Sequence, residues 1–186
     1  MEALAKLKPV FDRKFGTVTA GNSSQITDGA AALVLASERY AREAGLKTLG
    51  RIRSWSFAGC DPARMGLGPV LCATEILDRN GLGLNAIEIW ELNEAFAAQV
   101  LGCLRAFDDP VFCKQVLGKD KPMGRIDRDR LNVDGGAVSL GHPVGASGNR
   151  IVLHLVNAMH RLGHKVGIAT ECIGGGQGGA MLVEAA

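Results

Sequence analysis

Apolar side chains recur along this chain with two periods, one typical of strands and one typical of helices. Residues 49–57 alternate two sets of side chains, which predicts a strand with two different faces. Residues 94–107 carry apolar side chains at helical spacing, so a helix is predicted there. The same spacing over residues 151–162 predicts a second helix, which ends at Gly163.

Capping residues and glycines delimit the remaining elements. Helices are predicted over 37–44, capped by Ser37, and over 69–80, opened by a proline, and a glycine follows each of them. Short strands are predicted at 87–92, 166–170 and 180–183. Four segments lack a regular period: an ordered loop at 17–29, an apolar run at 30–37 compatible with a strand or a helix, a charged surface excursion at 108–130, and a glycine-rich loop at 132–148.

The order of these elements defines the fold class. Strands and helices alternate along the chain, which is the pattern of a layered α/β domain. The last two strands are separated by a short loop and are predicted to pair as an antiparallel hairpin. We therefore expect a mixed sheet with helices on its faces.

Composition narrows the class of function. The net charge of +2 and the aromatic content of 5% give no indication of a nucleic-acid surface or of binding to an anionic membrane. No apolar run approaches the ~18 residues of a membrane span. Glycine is concentrated near residues 135–148 and 174–179, where we expect it to serve local backbone geometry.

Five cysteines are spread along the chain without a metal-binding or disulfide pattern. They lie at positions 60, 72, 103, 113 and 172, and no pair has the spacing Cys-x-x-Cys. A disulfide framework or a zinc site is therefore not expected. A reducing compartment, the cytoplasm, fits this usage better.

Asn93 is the first candidate site residue, in the run Asn-Glu-Ala-Phe between a predicted strand and a predicted helix. As a helix cap, its side chain would accept a hydrogen bond from a free N–H group of the first turn. As a site residue, it would project from a strand end into a crevice. The sequence leaves both interpretations open.

His142 is the second candidate, inside the glycine-rich loop before a predicted helix. Pro143 disfavours a helical backbone at His142, and the glycines on either side allow a ligand or another backbone to approach closely. A lone histidine is usually a structural residue, but one in such a loop is an equally good candidate for chemistry. The segment 145–148 could also offer backbone N–H groups to an anion.

Cys172 is the third candidate, at the end of a predicted strand and before the run Gly174-Gly-Gly-Gln-Gly-Gly. A cysteine is most often a small buried apolar residue. Here, however, the loop that follows has almost no side chains and can supply bare N–H donors beside the sulfur. An oxyanion hole for acyl transfer needs that arrangement. Cysteine, histidine and asparagine at three element ends fit thiol-based acyl chemistry, although their spacing does not show that they meet.

These three blocks resemble the thiolase family. The matching runs are Asn-Glu-Ala-Phe at 93–96, Gly-Gly-Ala followed by Gly-His-Pro-x-Gly-Ala-Ser-Gly at 135–148, and Cys-x-Gly-Gly-Gly-Gln-Gly at 172–178. The resemblance extends over the whole chain but covers only the C-terminal half of the family enzyme. It implies a thiolase-like layered fold, with residues 1–29 as the end of the N-terminal half and its CoA-binding loop, and 30–186 as the C-terminal domain.

The resemblance implies a role for each candidate. His142 would activate a nucleophilic cysteine and help stabilise an oxyanion, and Cys172 would be the general acid and base. Asn93 would hold a water molecule that completes the oxyanion site for the enolate. The backbone N–H of Gly174 would form half of a second oxyanion hole.

Further expectations concern ligands and partners. Ser24 would contact the pantetheine arm of CoA, and Phe96 would line the acyl pocket. CoA is a substrate in this chemistry, and no metal or redox cofactor is required. None of the five cysteines has the surroundings of the family's nucleophile, so the missing N-terminal half would be a partner. The complete enzyme is expected to be a homo-oligomer.

The resemblance also suggests a direction for the reaction. Gln25 and Thr27 differ from the residues usual in biosynthetic acetoacetyl-CoA thiolases, and the excursion at 108–130 is long. Both favour a degradative 3-ketoacyl-CoA thiolase of the fatty-acid-oxidation type. Two alternatives remain: a non-catalytic, truncated or partner-dependent subunit, and a ketoacyl synthase, against which Cys-x-Gly-Gly-Gly argues.

Overall fold

A four-stranded mixed sheet forms the centre of the protein, seen in a computed structural model that describes all 186 residues. The strands lie in the order β1–β4–β3–β2, with β2 parallel to β3 and the other two pairs antiparallel. The strands span Gly50–Gly59 (β1), Ile89–Leu92 (β2), Val166–Ile173 (β3) and Gln177–Ala185 (β4). The predicted mixed sheet is confirmed.

The hairpin between β3 and β4 is also confirmed, although both strands are longer than the sequence indicated. Its turn requires glycine, because Gly175 and Gly176 have φ values of 83° and 84°. Gly176 also lies against the start of the next segment: a Cβ on it would come within 2.3 Å of the carbonyl oxygen of Cys60. The turn is thereby fixed beside the end of β1.

The chain contains seven α-helices. The longest, α7, ends at Gly163 in the left-handed conformation, as predicted. Ser37 caps α2 by accepting a hydrogen bond from the N–H of Tyr40. The helices span Glu2–Ala5 (α1), Glu38–Glu43 (α2), Gly68–Arg79 (α3), Ala97–Asp108 (α4), Pro110–Gln115 (α5), Ala137–Leu140 (α6) and Ser147–Leu162 (α7), and four short 3₁₀ turns lie at Ala20–Asn22, Pro62–Leu67, Leu84–Ala86 and Arg128–Arg130.

The two faces of the sheet bury two separate apolar clusters, because successive side chains of a strand point to opposite faces. The larger cluster packs α3 and α4 against residues such as Trp90, Ile168 and Leu182. The smaller cluster packs α7 against Ile89 and its neighbours. Helices thus cover both faces of the sheet. No helix in the chain is long and apolar enough to cross a membrane.

The start of α4 differs from the prediction. The helix begins at Ala97, and Phe96 before it is extended, with φ −143° and ψ 140°. Asn93 therefore lies three residues outside the cap position. The interpretation of Asn93 as a helix cap is wrong, because the chain between β2 and α4 is not helical and Phe96 pairs with Ser23 before the helix begins.

Three irregular segments also differ from their predictions. Residues 30–37 form neither a strand nor a helix, and Val34 and Leu35 are 91% and 73% exposed, because no neighbouring strand pairs with them. The segment 108–130 contains α5 and buries Cys113 and Ile126. The loop 132–148 contains the short helix α6.

Candidate active site

Asn93 follows β2 directly and is held at the edge of the sheet by its backbone. Its N–H donates to the carbonyl oxygen of Thr170 on β3, at 2.9 Å. The residue is only 2% exposed, yet its Oδ1 atom is buried without a hydrogen-bond partner. A buried acceptor of this kind is uncommon in folded proteins, and it is compatible with a site for a bound polar group.

His142 lies next to Asn93, although 49 positions separate them in the sequence. The distance from His142 Nε2 to Asn93 Nδ2 is 3.5 Å. The His142 backbone N–H donates to the carbonyl oxygen of Gln25, at 3.0 Å, which fixes this loop against the N-terminal segment. The pairing of asparagine and histidine is thus a property of the fold.

Hydrogen bonds on the other side of the ring fix the proton of His142. His142 Nδ1 lies 2.6 Å from Ser147 Oγ, and the Ser147 hydroxyl donates to the carbonyl oxygen of Pro143, at 3.1 Å. Because that hydroxyl hydrogen is already in use, Ser147 accepts a hydrogen bond from Nδ1–H. The Nε2 atom is therefore free of hydrogen and faces Asn93.

The environment keeps the imidazole of His142 neutral. Burial lowers its pKa from the ordinary value, and the positive charge of Arg150 lowers it further. A neutral imidazole with a free Nε2 can accept a proton from a thiol and can then donate it or bind an oxyanion. These are the abilities that the candidate role of His142 requires.

Cys172 lies on β3, two residues beyond Thr170 and therefore beside the same carboxyl end of the sheet. It is 9% exposed. Burial raises the pKa of its thiol to about 11, with smaller contributions from Glu171 and Cys60. The sulfur is therefore protonated near neutral pH, which suits a proton donor better than a nucleophile.

Gly174 stands in the turn of the hairpin, beyond Cys172. It is exposed, and its backbone N–H makes no hydrogen bond within the chain. Its carbonyl oxygen accepts a hydrogen bond from the side chain of Gln177, at 3.3 Å, which holds the peptide in place. The free N–H is available to an external acceptor.

Ser24 and Phe96 lie side by side on two adjoining segments. The N–H of Ser24 donates to the carbonyl oxygen of Ala95, at 2.9 Å, and Ser23 forms an antiparallel bridge with Phe96. The ring of Phe96 meets that of Phe11 edge-on, with centroids 5.9 Å apart. The structure thus attaches the loop expected to contact CoA to the segment that follows Asn93.

All six candidate residues lie around one end of the sheet, but the contacts join them unequally. Asn93 and His142 meet directly, Ser24 and Phe96 are joined through the backbone, and Cys172 and Gly174 occupy the end of the neighbouring strand. The sequence analysis missed Ser147, which fixes the His142 tautomer. Its position in the run Gly-Ala-Ser-Gly after His142 was the available signal.

The other cysteines have the properties of structural residues. Burial raises the pKa of Cys72 to about 11 and that of Cys103 to about 12. The pKa of Cys60 is also raised, by partial burial and the negative charge of Asp61. Cys113 is fully buried and donates to carbonyl groups of α4. The pKa values of Cys60, Cys72 and Cys103 are thus raised, whereas a lowered pKa is what activates a nucleophilic cysteine.

Comparison with known families agrees with this fold. Residues 46–185 match the C-terminal domain of thiolases, and residues 1–39 match the thiolase N-terminal domain. The chain therefore belongs to the thiolase family, as the three sequence blocks indicated.

Individual relatives carry the same family name. The chain is 47% identical over 184 residues to the 3-ketoacyl-CoA thiolase of Aliivibrio salmonicida and 48% identical over 184 residues to that of Klebsiella pneumoniae. Both comparisons use 99% of this chain but only 44% of the relative. The chain thus spans less than half the length of the curated relatives that it matches.

Solved structures of thiolases share the fold. The acetyl-CoA acetyltransferase of Bacillus anthracis superimposes with a TM-score of 0.88 at 42% identity. Human mitochondrial 3-ketoacyl-CoA thiolase, solved in complex with CoA, superimposes with a TM-score of 0.84 at 38% identity. Each superposition includes 100% of this chain and 42% of the solved chain. The thiolase-like layered fold is confirmed.

Proposed function

We propose that this chain supplies the acid–base half of a 3-ketoacyl-CoA thiolase. The reaction is thiolytic cleavage of a 3-ketoacyl-CoA by CoA, and its reverse is a Claisen condensation. The observation that carries this proposal is the pairing of a neutral His142 with the buried Asn93. The unprotonated Nε2 of His142 lies 3.5 Å from Nδ2 of Asn93. The names of the relatives supply the substrate class.

In the first step a cysteine of the N-terminal half attacks the 3-keto carbonyl carbon after its thiol proton passes to His142. The bond between C2 and C3 then breaks, and the acyl fragment remains on that sulfur as a thioester. The electron pair of the broken bond stays on C2, which takes the proton of Cys172 and leaves as acetyl-CoA. A thiol whose pKa burial raises to about 11 is protonated and ready for this donation.

In the second step the thiol of CoA passes its proton to the Cys172 thiolate and attacks the thioester carbonyl carbon. The bond from that carbon to the cysteine sulfur of the N-terminal half breaks, and the sulfur takes back the proton held by His142, which restores the starting state. The acyl group leaves as acyl-CoA. Oxyanions form in both steps. His142 and a water molecule held by Asn93 would stabilise the enolate oxygen, and the free N–H of Gly174 would bind the oxyanion of the thioester step. CoA is a substrate here, and no metal or redox cofactor takes part.

Ser24 and Phe96 are proposed to bind substrate. Ser24 lies on the loop that passes beside Ala95 and would contact pantetheine, whereas Phe96 would line the acyl pocket. The proposed location is a reducing compartment, the cytoplasm, because the cysteines are odd in number and no pair has the spacing Cys-x-x-Cys. The direction is proposed to be degradative, and the complete enzyme a homo-oligomer.

An N-terminal thiolase half is the proposed partner of this chain. Large apolar side chains are exposed along the segments that precede β1, among them Phe15, Ile26 and Val34, at 76%, 99% and 91%. Exposed apolar surface of this extent usually marks an interface. The same half would bring the nucleophilic cysteine to His142.

The test is a thiolysis assay with acetoacetyl-CoA and CoA. The chain is measured alone, with a thiolase N-terminal half, and with the same half whose nucleophilic cysteine is replaced by alanine. Turnover is expected only in the second sample. Turnover by the chain alone would contradict the proposed division of roles, and no turnover in a stable complex would favour a second candidate, a non-catalytic partner subunit. That candidate is compatible with the chain spanning less than half of its relatives.

A further inference from the structure

We propose that Glu94 is a positioning residue that sets the distance between Asn93 and His142. The inference rests on the proposed function, because it concerns the geometry of the same site. Glu94 directly follows Asn93, and its carboxylate binds the loop that leads to His142. We use the name Glu94 network for Glu94, Asn132, Gly136 and Val138.

The carboxylate of Glu94 accepts one hydrogen bond at each oxygen. Asn132 Nδ2 donates to Oε1 at 2.9 Å, and the backbone N–H of Val138 donates to Oε2 at 3.2 Å. Both donors belong to the segment before His142, about 40 positions further along the chain. The side chain next to Asn93 thus holds two points of the opposing loop.

Asn132 joins the network to the sheet. Its Oδ1 accepts from the N–H of Leu92, its Nδ2 donates to the carbonyl oxygen of Leu92, and both distances are 2.9 Å. Its backbone has a φ of 48°, which is uncommon for a residue other than glycine. Asn132 is 9% exposed, so these buried bonds support a backbone conformation that would otherwise be unfavourable.

Gly136 leaves the space that the Glu94 carboxylate occupies. A Cβ at this position would lie 2.2 Å from the carboxyl carbon of Glu94 and within 2.5 Å of both its oxygens. The backbone of Gly136 is extended, with φ −140° and ψ −165°, which any residue can adopt. Contact with Glu94 is therefore the reason that this position needs glycine.

The network matters because the contact that it controls is marginal. At 3.5 Å, Asn93 Nδ2 and His142 Nε2 lie at the limit of a hydrogen bond, and a small shift of the loop would separate them. The short helix α6 connects Val138 to Gly141 and transmits the position of the network to His142. A displacement of about 1 Å at such a site can cost a factor of 10² in rate.

The first variant is Glu94→Gln, in the complex of this chain with an N-terminal thiolase half. Both partners of the side chain are donors, so the amide would accept one and leave its own NH₂ facing the other. We expect kcat to fall by roughly 10- to 100-fold while KM changes by less than about threefold. The ring NMR signals of His142, assigned with a His142→Asn variant, are expected to shift.

Glu88→Gln is the matched control. Glu88 precedes β2 at its opposite end, and its carboxylate accepts from the backbone N–H groups of Lys165 and Val166. Glu88→Gln removes one negative charge, as Glu94→Gln does, and alters similar hydrogen bonds to backbone N–H groups, but at the end of β2 away from His142. It is expected to leave kcat and the His142 signals as in the wild type.

Gly136→Ala tests the contact itself. Alone, it is expected to reproduce the loss of kcat, because the Cβ would displace the carboxylate. Combined with Glu94→Ala, it is expected to add little to the loss caused by Glu94→Ala, since the obstructing group is gone. Additive losses in the double variant would contradict the proposed contact.

The outcomes separate this inference from the proposed function. If the wild-type complex is active and Glu94→Gln has the same kcat, the inference is overturned and the proposed function stands. The same holds if kcat falls only in proportion to a loss of stability while the His142 signals do not shift. An inactive wild-type complex contradicts the proposed function. In that case the NMR signals of His142 in Glu94→Gln test the inference: a shift supports the positioning role of Glu94, and unshifted signals overturn it.

Discussion

At the scale of single residues, the site combines a free imidazole nitrogen with a protonated thiol. The bond from His142 Nδ1 to Ser147 leaves Nε2 unprotonated, and burial raises the pKa of Cys172 to about 11. One group can therefore accept a proton while the other can give one. This division is what cleavage of a carbon–carbon bond next to a thioester requires.

Replacing Cys172 by alanine tests its role as the acid. In the complex with an N-terminal half, Cys172→Ala should lower turnover by roughly 10²–10⁴-fold, because C2 loses its proton donor. Transfer of an acyl group to the nucleophile should change less. Cys113→Ala, which removes a thiol buried against the far end of α4, is the control. If Cys172→Ala stays within a few-fold of the wild type, the thiol is only packed.

Replacing Asn93 by alanine separates catalysis from stability. The Oδ1 atom of Asn93 has no partner and the residue caps no helix, so the free energy of unfolding should change by less than about 1 kcal/mol. Turnover should fall by roughly 10²–10³-fold, as it does when an oxyanion donor is removed. Turnover and denaturant unfolding are measured on the same variant. A stability loss with normal turnover would contradict the proposed role.

At the scale of elements, those with strong periodicity could be predicted from the sequence, whereas those that depend on long-range contacts could not. Helix α7 and the hairpin β3–β4 follow from spacing, capping and glycine positions. Helix α6 could not be predicted from the sequence, because it is only four residues long and the N–H of its Val138 is bound by the carboxylate of Glu94, 44 positions away. The start of α4 was misplaced for a similar reason: Phe96 is extended because it bridges to Ser23.

The candidate site was predictable in its residue types but not in its contacts. Local motifs identified His142 and Cys172, whereas the meeting of Asn93 with His142 depends on a loop closed over 49 positions. The run at 30–37 shows a second reason why prediction from sequence fails. Its apolar pattern is real, but a strand needs a neighbour with which to pair, and this chain offers none.

An ion cluster between α7 and β2 should make stability depend on pH. His154 Nδ1 lies 2.8 Å from the buried carboxylate of Glu91, and its Nε2 lies 2.7 Å from Asp134, which Arg161 also contacts. Hydrogen bonding to Glu91 raises the pKa of His154 above its ordinary value, with a smaller effect of Asp134.

Because the folded-state pKa of His154 is raised, its contribution to stability is complete below about pH 6.5 and is lost as the pH rises through the folded-state value. Urea unfolding of the wild type and of His154→Gln is compared at about pH 6 and about pH 9. The difference in unfolding free energy between the two proteins should shrink at the higher pH. A difference that stays constant or grows would contradict the assignment.

At the scale of the whole molecule, the chain has a four-stranded sheet with two apolar clusters but a largely uncovered N-terminal region. Two apolar clusters flank the sheet, whereas the segments before β1 expose side chains such as Phe15 and Val34. An additional half that covers these segments would explain both the exposure and the lack of an activated thiol. In the proposed complex, stability and catalysis would depend on the same partner.

The exposed surface leads to a prediction about association. The isolated chain is expected to self-associate or to show poor solubility, and an N-terminal half should relieve this by covering the apolar side chains. Light scattering of the chain with and without that half measures the mass. A monodisperse monomer that neither associates nor binds the N-terminal half would contradict the proposed interface.

The most direct test of the central claim is to locate the acyl group during the reaction. The complex is incubated with acetyl-CoA, digested and analysed by mass spectrometry. The account predicts an acetyl thioester on a cysteine of the N-terminal half, strongly reduced in His142→Ala, and none on the five cysteines of this chain. An acetyl group on Cys172 or any other cysteine of this chain would contradict it.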